Sequence, residues 1–288
     1  MLHHLPVMLH ETMDLLEPRP GKVIVDCTVG YGGHAAELLR HRCTVIGLDM
    51  DPQSLAIARE RLKEIGDRFR LFHANFAALP KILAEAGVER VHGILADLGV
   101  ASPQIDDPAR GFSYLKPGPL DMRMDPTRGK PAWRLLDRIS EEELVQALLE
   151  LGDETDAASI ARLLVRRRPI RTTQELTAIV CEARRFTLER ARGAKLHPAA
   201  RTFQALRILV NRELANLERL LVVVPEYLQS GGIAVFLSFH SGEDRLVKKA
   251  FQNSAHYSER WPLLVPSEEE RRQNPRARSA KLRGARRA

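Results

Sequence analysis

A glycine-rich turn and a downstream aspartate form the first pattern in the chain that could do chemistry. Gly30, Gly32 and Ala35 follow a short apolar run as Gly-x-Gly-x-x-Ala, and Asp49 ends the next apolar run nineteen residues beyond Gly30. Glycines let the backbone approach a ligand where a Cβ atom would collide, and a carboxylate can accept both hydroxyls of a ribose. The pattern favours an adenosine-containing cofactor, with a purely structural tight turn as the alternative.

Two further patterns follow the third and fourth apolar runs. Asn75 and Phe76 are suited to flank an adenine, although a lone phenylalanine after a strand more often belongs to the core. Asp97 ends the fourth run, and a carboxylate there suits a positively charged methyl donor and an amine acceptor, whereas a nicotinamide gains nothing from it. S-adenosylmethionine (SAM) is therefore favoured over NAD. Asp51 has a simpler explanation, because together with Pro52 it resembles a helix start.

The elements that must position these residues alternate between apolar runs and helical patterns, which indicates βαβ units and a parallel sheet. Five buried strands are predicted: Val23 to Asp26, Thr44 to Asp49, Arg70 to His73, Gly93 to Asp97 and Ile233 to Phe239. Helices are predicted from Ala35 to His41, Pro52 to Ile65 and Ala77 to Ala86. The fold class is α/β, and ligands are expected at the carboxyl ends of the strands.

The connection between the fourth and fifth strands is more than a hundred residues long, far beyond what a crossover needs. Helical patterns occupy it, from Glu141 to Leu151, Asp156 to Arg167 and Thr173 to Arg185. The sequence therefore predicts a discontinuous core, residues 1–108 and 207–288, and an all-helical inserted domain, residues 109–206.

A single amphipathic helix is predicted after Thr202. Its apolar residues recur every three or four positions, at Phe203, Leu206, Val210, Leu214, Leu217 and Leu221. This spacing forms one apolar stripe, which is expected to dock on the sheet just before the fifth strand.

The chain is basic, and that charge is local. Its 288 residues include 44 Lys and Arg against 37 Asp and Glu, a net charge of +7. Residues 271–288 hold eight basic groups and no acidic one, which leaves −1 (7 − 8) for the remainder. This segment favours a polyanionic partner, and its deletion is expected to weaken RNA binding and flatten its salt dependence. SAM affinity is expected to change little unless Arg276 to Arg278 also pack against the core. Residues 162–195 hold ten basic groups against three acidic ones, which indicates solvated helix faces or a second nucleic-acid contact.

Composition excludes several classes of protein. A content of 44% hydrophobic and 28% charged residues excludes collagen-like, low-complexity and wholly disordered chains. Three cysteines without CxxC spacing suggest neither a disulfide framework nor a zinc site, and a reducing cytoplasm fits them. No apolar run reaches eighteen residues and no signal-peptide pattern is present, so neither secretion nor a membrane span is expected. His3, His4 and His10 lack the spacing of a metal site, so no metal is expected.

Short motifs in one order along nearly the whole chain carry a family resemblance. They include Asp26 to His34, Asp97 to Val100, Ser102 to Asp107, Arg110 to Ser113, Gly118 to Pro126, Arg201 to Arg207, Ser238 to Ser241 and Asn274 to Ser279. Together they resemble the ribosomal RNA small-subunit methyltransferase H family. The resemblance implies a Rossmann-like class I SAM-dependent methyltransferase core with an inserted helical domain. It also implies N4-methylation of a cytidine in the decoding region of 16S rRNA.

The same resemblance implies which residues contact the cofactor: Gly32, Gly33, His34, Asp49, Phe76, Asp97 and Gln104. Of these, His34 and Gln104 come from the family alone. Asp97 is also the candidate catalytic residue, because a hydrogen bond accepted from the cytosine amine would free the nitrogen lone pair. The two prolines that commonly follow such a residue in amino-methyltransferases are absent, since Leu98 and Gly99 stand there.

RNA contacts are expected from basic and aromatic groups near the motifs: Arg110, Phe112, Arg123, His240, Arg245, Arg276 and Arg278. The target base must leave its stack, and an aromatic side chain could receive it. The expected partner is 16S rRNA in the small ribosomal subunit, in the cytoplasm. The oligomeric state stays open, with a homodimer as one alternative. Two other functions also stay open: an NAD-dependent dehydrogenase that uses the same turn, and a ribosome-assembly factor that binds RNA without turnover.

Overall fold

The computed structural model describes residues 6–194 and 196–288, and the chain divides into two compact units. One unit consists of Met1–Gly99 and Leu214–Ala288, and we call it the sheet unit. The other is the continuous stretch Val100–Glu213, the helical unit. The predicted insert, residues 109–206, lies inside the helical unit, and its status as a separate domain stays a prediction.

A seven-stranded sheet forms the centre of the sheet unit. Its strands are β1 (Val23–Asp26), β2 (Thr44–Asp49), β3 (Phe69–His73), β4 (Val91–Asp97), β5 (Leu228–Ser238), β6 (Tyr257–Arg260) and β7 (Lys281–Arg287). They are ordered β3-β2-β1-β4-β5-β7-β6, with β1 to β5 parallel and β7 antiparallel to both of its neighbours. The predicted α/β class and the first five strands are confirmed.

Helices surround this sheet, and others build the second unit. Those of the sheet unit are α1 (Leu9–Leu16), α2 (Gly33–Arg40), α3 (Pro52–Lys63), α4 (Leu79–Ala86), α12 (Glu213–Tyr227), α13 (Ser241–Phe251) and α14 (Glu268–Gln273), α12 beginning at the last residue of the helical unit. Those of the helical unit are α5 (Ser102–Asp106), α6 (Ala132–Leu136), α7 (Glu141–Gly152), α8 (Ala157–Arg166), α9 (Thr173–Ala183), α10 (Leu188–Arg192) and α11 (Ala200–Asn211). Among the described residues, no helix combines the length and apolar character needed to cross a bilayer.

The central strands are apolar throughout because both faces of the sheet are covered. Successive side chains of a strand point to opposite faces, so a strand buried on both sides cannot alternate with polar residues. In β1, Ile24 packs in one apolar cluster and Val25 in the other. In β5, Val235 and Phe236 divide in the same way, and both are fully buried. This packing holds the carboxyl ends of the strands in register.

The C-terminal segment is part of the sheet and not an appended tail. β7 lies between β5 and β6, and its Leu282 and Ala285 are fully buried. A Cβ atom at Gly284 would lie 2.9 Å from Trp261 and 3.0 Å from Leu15, so this position accepts only glycine without rearrangement. The expectation that deleting residues 271–288 would change SAM affinity little held only if Arg276 to Arg278 do not pack against the core. Ala277 is fully buried in the apolar cluster of the sheet unit, so that condition is not met.

Several basic groups of β7 are paired inside the sheet unit. Arg283 Nε donates to Asp244 Oδ1 at 2.7 Å. Arg286 donates to Glu17 at 2.8 Å and to Glu259 at 3.0 Å. The positive charge that the sequence concentrates in this segment therefore has internal partners, and less of it is left for a polyanion.

The predicted single helix after Thr202 is two helices. Arg212 adopts a left-handed conformation, with φ of 51°, and ends α11 before α12 begins. Phe203 and Leu206 then pack in the core of the helical unit, whereas Leu217 and Leu221 pack under the sheet. The prediction of one stripe docking on the sheet is wrong, because apolar spacing does not reveal a single left-handed residue.

Candidate cofactor site and active site

The candidate site lies where the order of the strands reverses. From β1 the chain proceeds outward to β2 and β3, and from β4 it proceeds in the opposite direction to β5. Open α/β sheets bind ligands at such a switch point, beyond the carboxyl ends of the strands. Asp26 ends β1 and Asp97 ends β4, and the Asp97 N–H donates to Thr28 Oγ1 at 2.6 Å. Two carboxyls and the glycine turn therefore meet at one edge.

The glycine turn is tied to Asp49. Gly30 and Gly32 both have positive φ, 52° and 77°, which favours glycine at these positions. The Gly30 N–H donates to Asp49 Oδ2 at 2.7 Å, and the Asp51 N–H donates to Asp49 Oδ1 at 2.8 Å. Each carboxylate oxygen keeps a second lone pair, so Asp49 can still accept ribose hydroxyls. Asp51 caps α3 by accepting the Gln53 N–H at 3.0 Å, as its helix-start interpretation predicts.

The segment before α1 lies against the same turn. A Cβ atom at Gly33 would lie 2.7 Å from Pro6 Cγ, so the close approach of Pro6 requires glycine there. His34, which is 5% exposed, has its Nε2 3.1 Å from the carbonyl oxygen of Val7. Its Nδ1 lies 3.8 Å from Asp97 Oδ2. His34 thus bridges the N-terminal segment and Asp97, a link between distant residues that the sequence does not reveal.

Asp97 is half-buried, with its side chain 22% exposed, and it is only partly partnered. Its Oδ1 has no hydrogen-bond partner among the described residues. Burial, with additional repulsion from Asp26 and Glu243, raises the pKa of Asp97 to about 8. Glu243, which is 2% exposed, is a contributor that sequence reasoning missed. Its Oε2 accepts the Phe239 N–H at 2.8 Å, and its place in the first turn of α13 was the available signal.

The other two carboxyls at this edge behave similarly. Burial, with a further contribution from Asp49, raises the pKa of Asp26 to about 7. Burial and the neighbouring Asp51 raise the pKa of Asp49 to about 6, although backbone N–H groups oppose the shift. The largest contributions to the pKa shifts of Asp26, Asp49 and Asp97 come from burial, backbone N–H groups and other carboxyls of the described residues, and not from a Lys or Arg among them. One buried and two half-buried carboxyls with raised pKa values fit a positively charged ligand, and a sulfonium has that charge.

The residues predicted to flank an adenine lie after β3. Asn75 caps a single 3₁₀ turn by accepting the Ala77 N–H at 2.8 Å, and its Nδ2 lies 3.1 Å from Met50 Sδ. Phe76 is half-buried and packs against the sheet core. A ring with one face in the core can still present an edge or face to a ligand, so its stacking role stays a prediction.

Gln104 belongs to the helical unit. It lies on α5, is 7% exposed, and accepts the Ala101 N–H at 3.0 Å through Oε1. The structure gives it this local role, and its contact with the cofactor stays a prediction.

The residues predicted to bind RNA have unequal exposure. Arg110 is 8% exposed and donates to the carbonyls of Arg123 and Met124, at 3.1 and 2.8 Å. Phe112 is 7% exposed and belongs to the helical core. Arg123 forms two hydrogen bonds with Asp121, at 2.8 and 2.7 Å. These three groups are used within the helical unit, and their RNA role stays a prediction.

The remaining RNA candidates lie in the sheet unit. His240 caps α13, with Nδ1 3.5 Å from the Glu243 nitrogen. Arg245 and Arg278 are exposed, and Arg278 donates to the Arg271 carbonyl at 3.3 Å, whereas Arg276 is half-buried. Only Arg245 and Arg278 in this group are placed to meet a large ligand without rearrangement.

The strand order and the acidic, glycine-lined edge define a class I methyltransferase that uses SAM. The fold is similar to that of a Streptococcus mutans protein crystallised in complex with SAH, with a TM-score of 0.50, 12% identity and 99% of each chain covered. The chain belongs to the MraW methylase family, whose model matches residues 1–288.

Relatives support this assignment at higher identity. The chain is 46% identical to the ribosomal RNA small subunit methyltransferase H of Thermotoga neapolitana, over 98% of this chain and 95% of the relative. It is 43% identical to the protein of the same name from Carboxydothermus hydrogenoformans, over 98% and 97%. The family resemblance read from the motifs is confirmed.

Proposed function

We propose that the chain transfers the methyl group of SAM to N4 of one cytidine in the decoding region of 16S rRNA, as part of the maturation of the small ribosomal subunit in the cytoplasm. The names of its relatives support the class of RNA. The observation that carries the choice of an amine acceptor is the buried Oδ1 atom of Asp97, which lacks a hydrogen-bond partner among the described residues.

In this proposal, SAM supplies an electrophilic methyl carbon attached to a positively charged sulfur. Gly32, Gly33 and His34 contact the bound SAM, and Asp49 accepts the hydrogen bonds of its ribose hydroxyls. Phe76 contacts the adenine, and Gln104 contributes a further polar contact.

Asp97 has the central chemical role. The exocyclic amine of cytosine is a poor nucleophile because its lone pair is delocalised into the ring. Asp97 Oδ1 accepts the hydrogen bond of one N4–H, which favours a tetrahedral nitrogen, and then takes the proton that N4 must lose. A carboxyl with a pKa of about 8 can hold that proton at neutral pH.

The test is methyl transfer from labelled SAM to small subunits, naked 16S rRNA and whole ribosomes, followed by digestion and analysis of nucleosides. Label in N4-methylcytidine from one substrate is the expected result. The proposal is overturned if small-subunit RNA from a strain that lacks this protein still contains a full complement of N4-methylcytidine.

Two outcomes would replace the proposal. Tight binding of NAD and none of SAM in calorimetry would favour a dehydrogenase. Binding of small subunits and SAM without any transfer would favour an assembly factor. With Asp97→Ala, normal SAM binding without transfer would mark Asp97 as catalytic, and loss of SAM binding would mark it as a cofactor contact.

A further inference from the structure

A cluster of arginines surrounds Trp133 on the helical unit. We call it the Trp133 cluster, and it consists of Trp133, Arg134, Asp137, Arg138, Arg168 and Arg171. The Arg134 guanidinium carbon lies 5.0 Å from the centroid of the Trp133 ring, and that of Arg171 lies 4.4 Å from it. At these distances a guanidinium is attracted by an indole ring.

One carboxylate lies among these cations. Asp137 Oδ1 accepts a hydrogen bond from Arg171 Nη1 at 2.9 Å. This bond with Arg171 lowers the pKa of Asp137, and the charges of Arg168 and Arg138 lower it further. Arg168 also donates to the Ile139 carbonyl. Three guanidiniums, those of Arg138, Arg168 and Arg171, therefore act on one acidic group.

The backbone holds the cluster in place. Trp133 and Arg134 belong to α6, and the Arg138 N–H donates to the Leu135 carbonyl at 3.0 Å in the turn that follows. The Arg171 carbonyl accepts the Leu120 N–H at 2.8 Å, and the Leu120 carbonyl accepts the Trp133 N–H at 3.0 Å, so Leu120 joins the segments of Arg171 and Trp133. A second carboxylate, Glu175, accepts the backbone N–H of Arg171 at 2.8 Å. Counting Asp137 and Glu175 against the four arginines leaves a net charge of +2.

Arg134 and Arg138 are the two cations available to a partner. Both are exposed, and neither guanidinium donates a side-chain hydrogen bond to a residue of the described ranges. Arg110 and Arg123, by contrast, are used within the helical unit. An arginine that lies over an aromatic ring keeps its N–H edge free, and that edge matches a phosphate with two parallel hydrogen bonds.

We propose that the Trp133 cluster binds the sugar-phosphate backbone of an unpaired segment of the RNA substrate, with Arg134 and Arg138 on phosphates. This inference rests on the proposed function for the identity of the RNA. An unpaired segment fits better than a duplex because an exposed guanidinium plane can also stack on a splayed base.

The test is the salt dependence of RNA binding. Fluorescently labelled 16S rRNA is titrated with the full chain at several salt concentrations, and the Arg134→Gln/Arg138→Gln variant is compared with the native protein. Loss of two single-strand phosphate contacts should make the slope of log K against log salt less steep by about 1.4. At 0.1 M salt this change corresponds to binding that is weaker by about 25-fold.

Two control variants make the result specific. Arg59→Gln/Arg90→Gln removes the same charge from exposed positions of the sheet unit, and it should leave the slope within error of the native value. Arg134→Lys/Arg138→Lys keeps the charge, and it should keep most of the slope. Unchanged thermal unfolding and SAM affinity would show that the glutamine variant is folded.

Three outcomes would overturn the assignment of this surface: a native slope in the glutamine variant, an equal loss in the Arg59/Arg90 control, or a loss explained by unfolding. Failure of the proposed function gives a different result. In that case the native protein does not methylate small-subunit RNA, whatever the salt dependence of the variants.

Discussion

On the proposed contact between Asp97 and SAM, the affinity for SAM should rise with pH, because the carboxyl must release a proton to face a cation. The pKa of Asp97 is about 8 in the free protein, so the carboxyl is mostly protonated at pH 7. A positive charge beside it favours the ionised form. Between pH 7 and pH 9 the ionised fraction of Asp97 rises from about one tenth to about nine tenths. The affinity for SAM should therefore rise about tenfold, which is about 1.4 kcal/mol of binding free energy.

The assay is isothermal titration calorimetry with SAM and with S-adenosylhomocysteine, whose sulfur is neutral. The ratio of the two affinities should rise about tenfold between pH 7 and pH 9, because most other ionisations of the two ligands cancel in the ratio. In buffers of different ionisation enthalpy, SAM binding at pH 7 should release about 0.9 proton.

Asp97→Asn is the matched variant, since an amide has nearly the same shape and does not ionise in this range. Its affinity ratio should be flat with pH. Because the pKa of Asp97 is raised on folding, its contribution to stability is greatest at low pH and is lost as the pH rises through about 8. The variant should therefore gain stability relative to the native protein at alkaline pH. A flat ratio in the native protein, or a rising one in Asp97→Asn, would refute this reasoning.

Three further predictions concern the sheet unit. Leu282→Ala should lower the free energy of unfolding by about 2–5 kcal/mol in urea titrations, because Leu282 is fully buried in β7. Arg272→Ala, at an exposed position of α14, is the control and should have little effect. Asp244→Asn should cost about 1.5–3 kcal/mol at pH 7. Although burial opposes it, Arg283 and Lys281 lower the pKa of Asp244, so this difference should shrink as the pH falls below about 4. Gly33→Ala should cost about 1–3 kcal/mol in stability, because the new Cβ meets Pro6, and it should weaken SAM binding in calorimetry. If any of these variants behaves like the native protein, the packing or ion pair from which its effect is predicted is contradicted.

β1, β2 and β4 were predictable because a strand buried on both faces must be apolar, whereas β3 is a partly exposed edge strand. β1 and β2 begin and end at the predicted residues. The turns that follow them carry glycine or aspartate because a βα turn at a binding edge needs these residues. Local sequence and tertiary burial agree there, so pattern alone was sufficient.

β7 was not predictable from pattern. Six of its seven residues are basic, glycine or alanine, and the burial of Gly284 under Trp261 leaves no room for a large apolar side chain. Its arginines are tolerated in the sheet because acidic partners come from far along the chain, such as Glu17 for Arg286. A rule based on neighbouring residues contains no such information.

The sequence was sufficient to predict which residues form the candidate site, but not how they contact one another. The carboxylates and glycines follow strands, so their convergence at one edge follows from parallel topology. The link from Val7 through His34 to Asp97 joins segments far apart in sequence, and only the fold brings them together. The ionisation of Asp97 also depends on its burial, which no spacing reveals.

The position of the helical unit within the chain has a consequence for synthesis. On a ribosome, β4 emerges about 130 residues before β5, its neighbour in the sheet. At about 5–20 residues per second, the edge of β4 waits roughly 7–26 seconds for that neighbour. The helical unit is continuous in sequence, so all of it has been made before the sheet can close. The nascent protein therefore passes through a stage with an apolar, unpaired strand edge, which is the stage most exposed to aggregation.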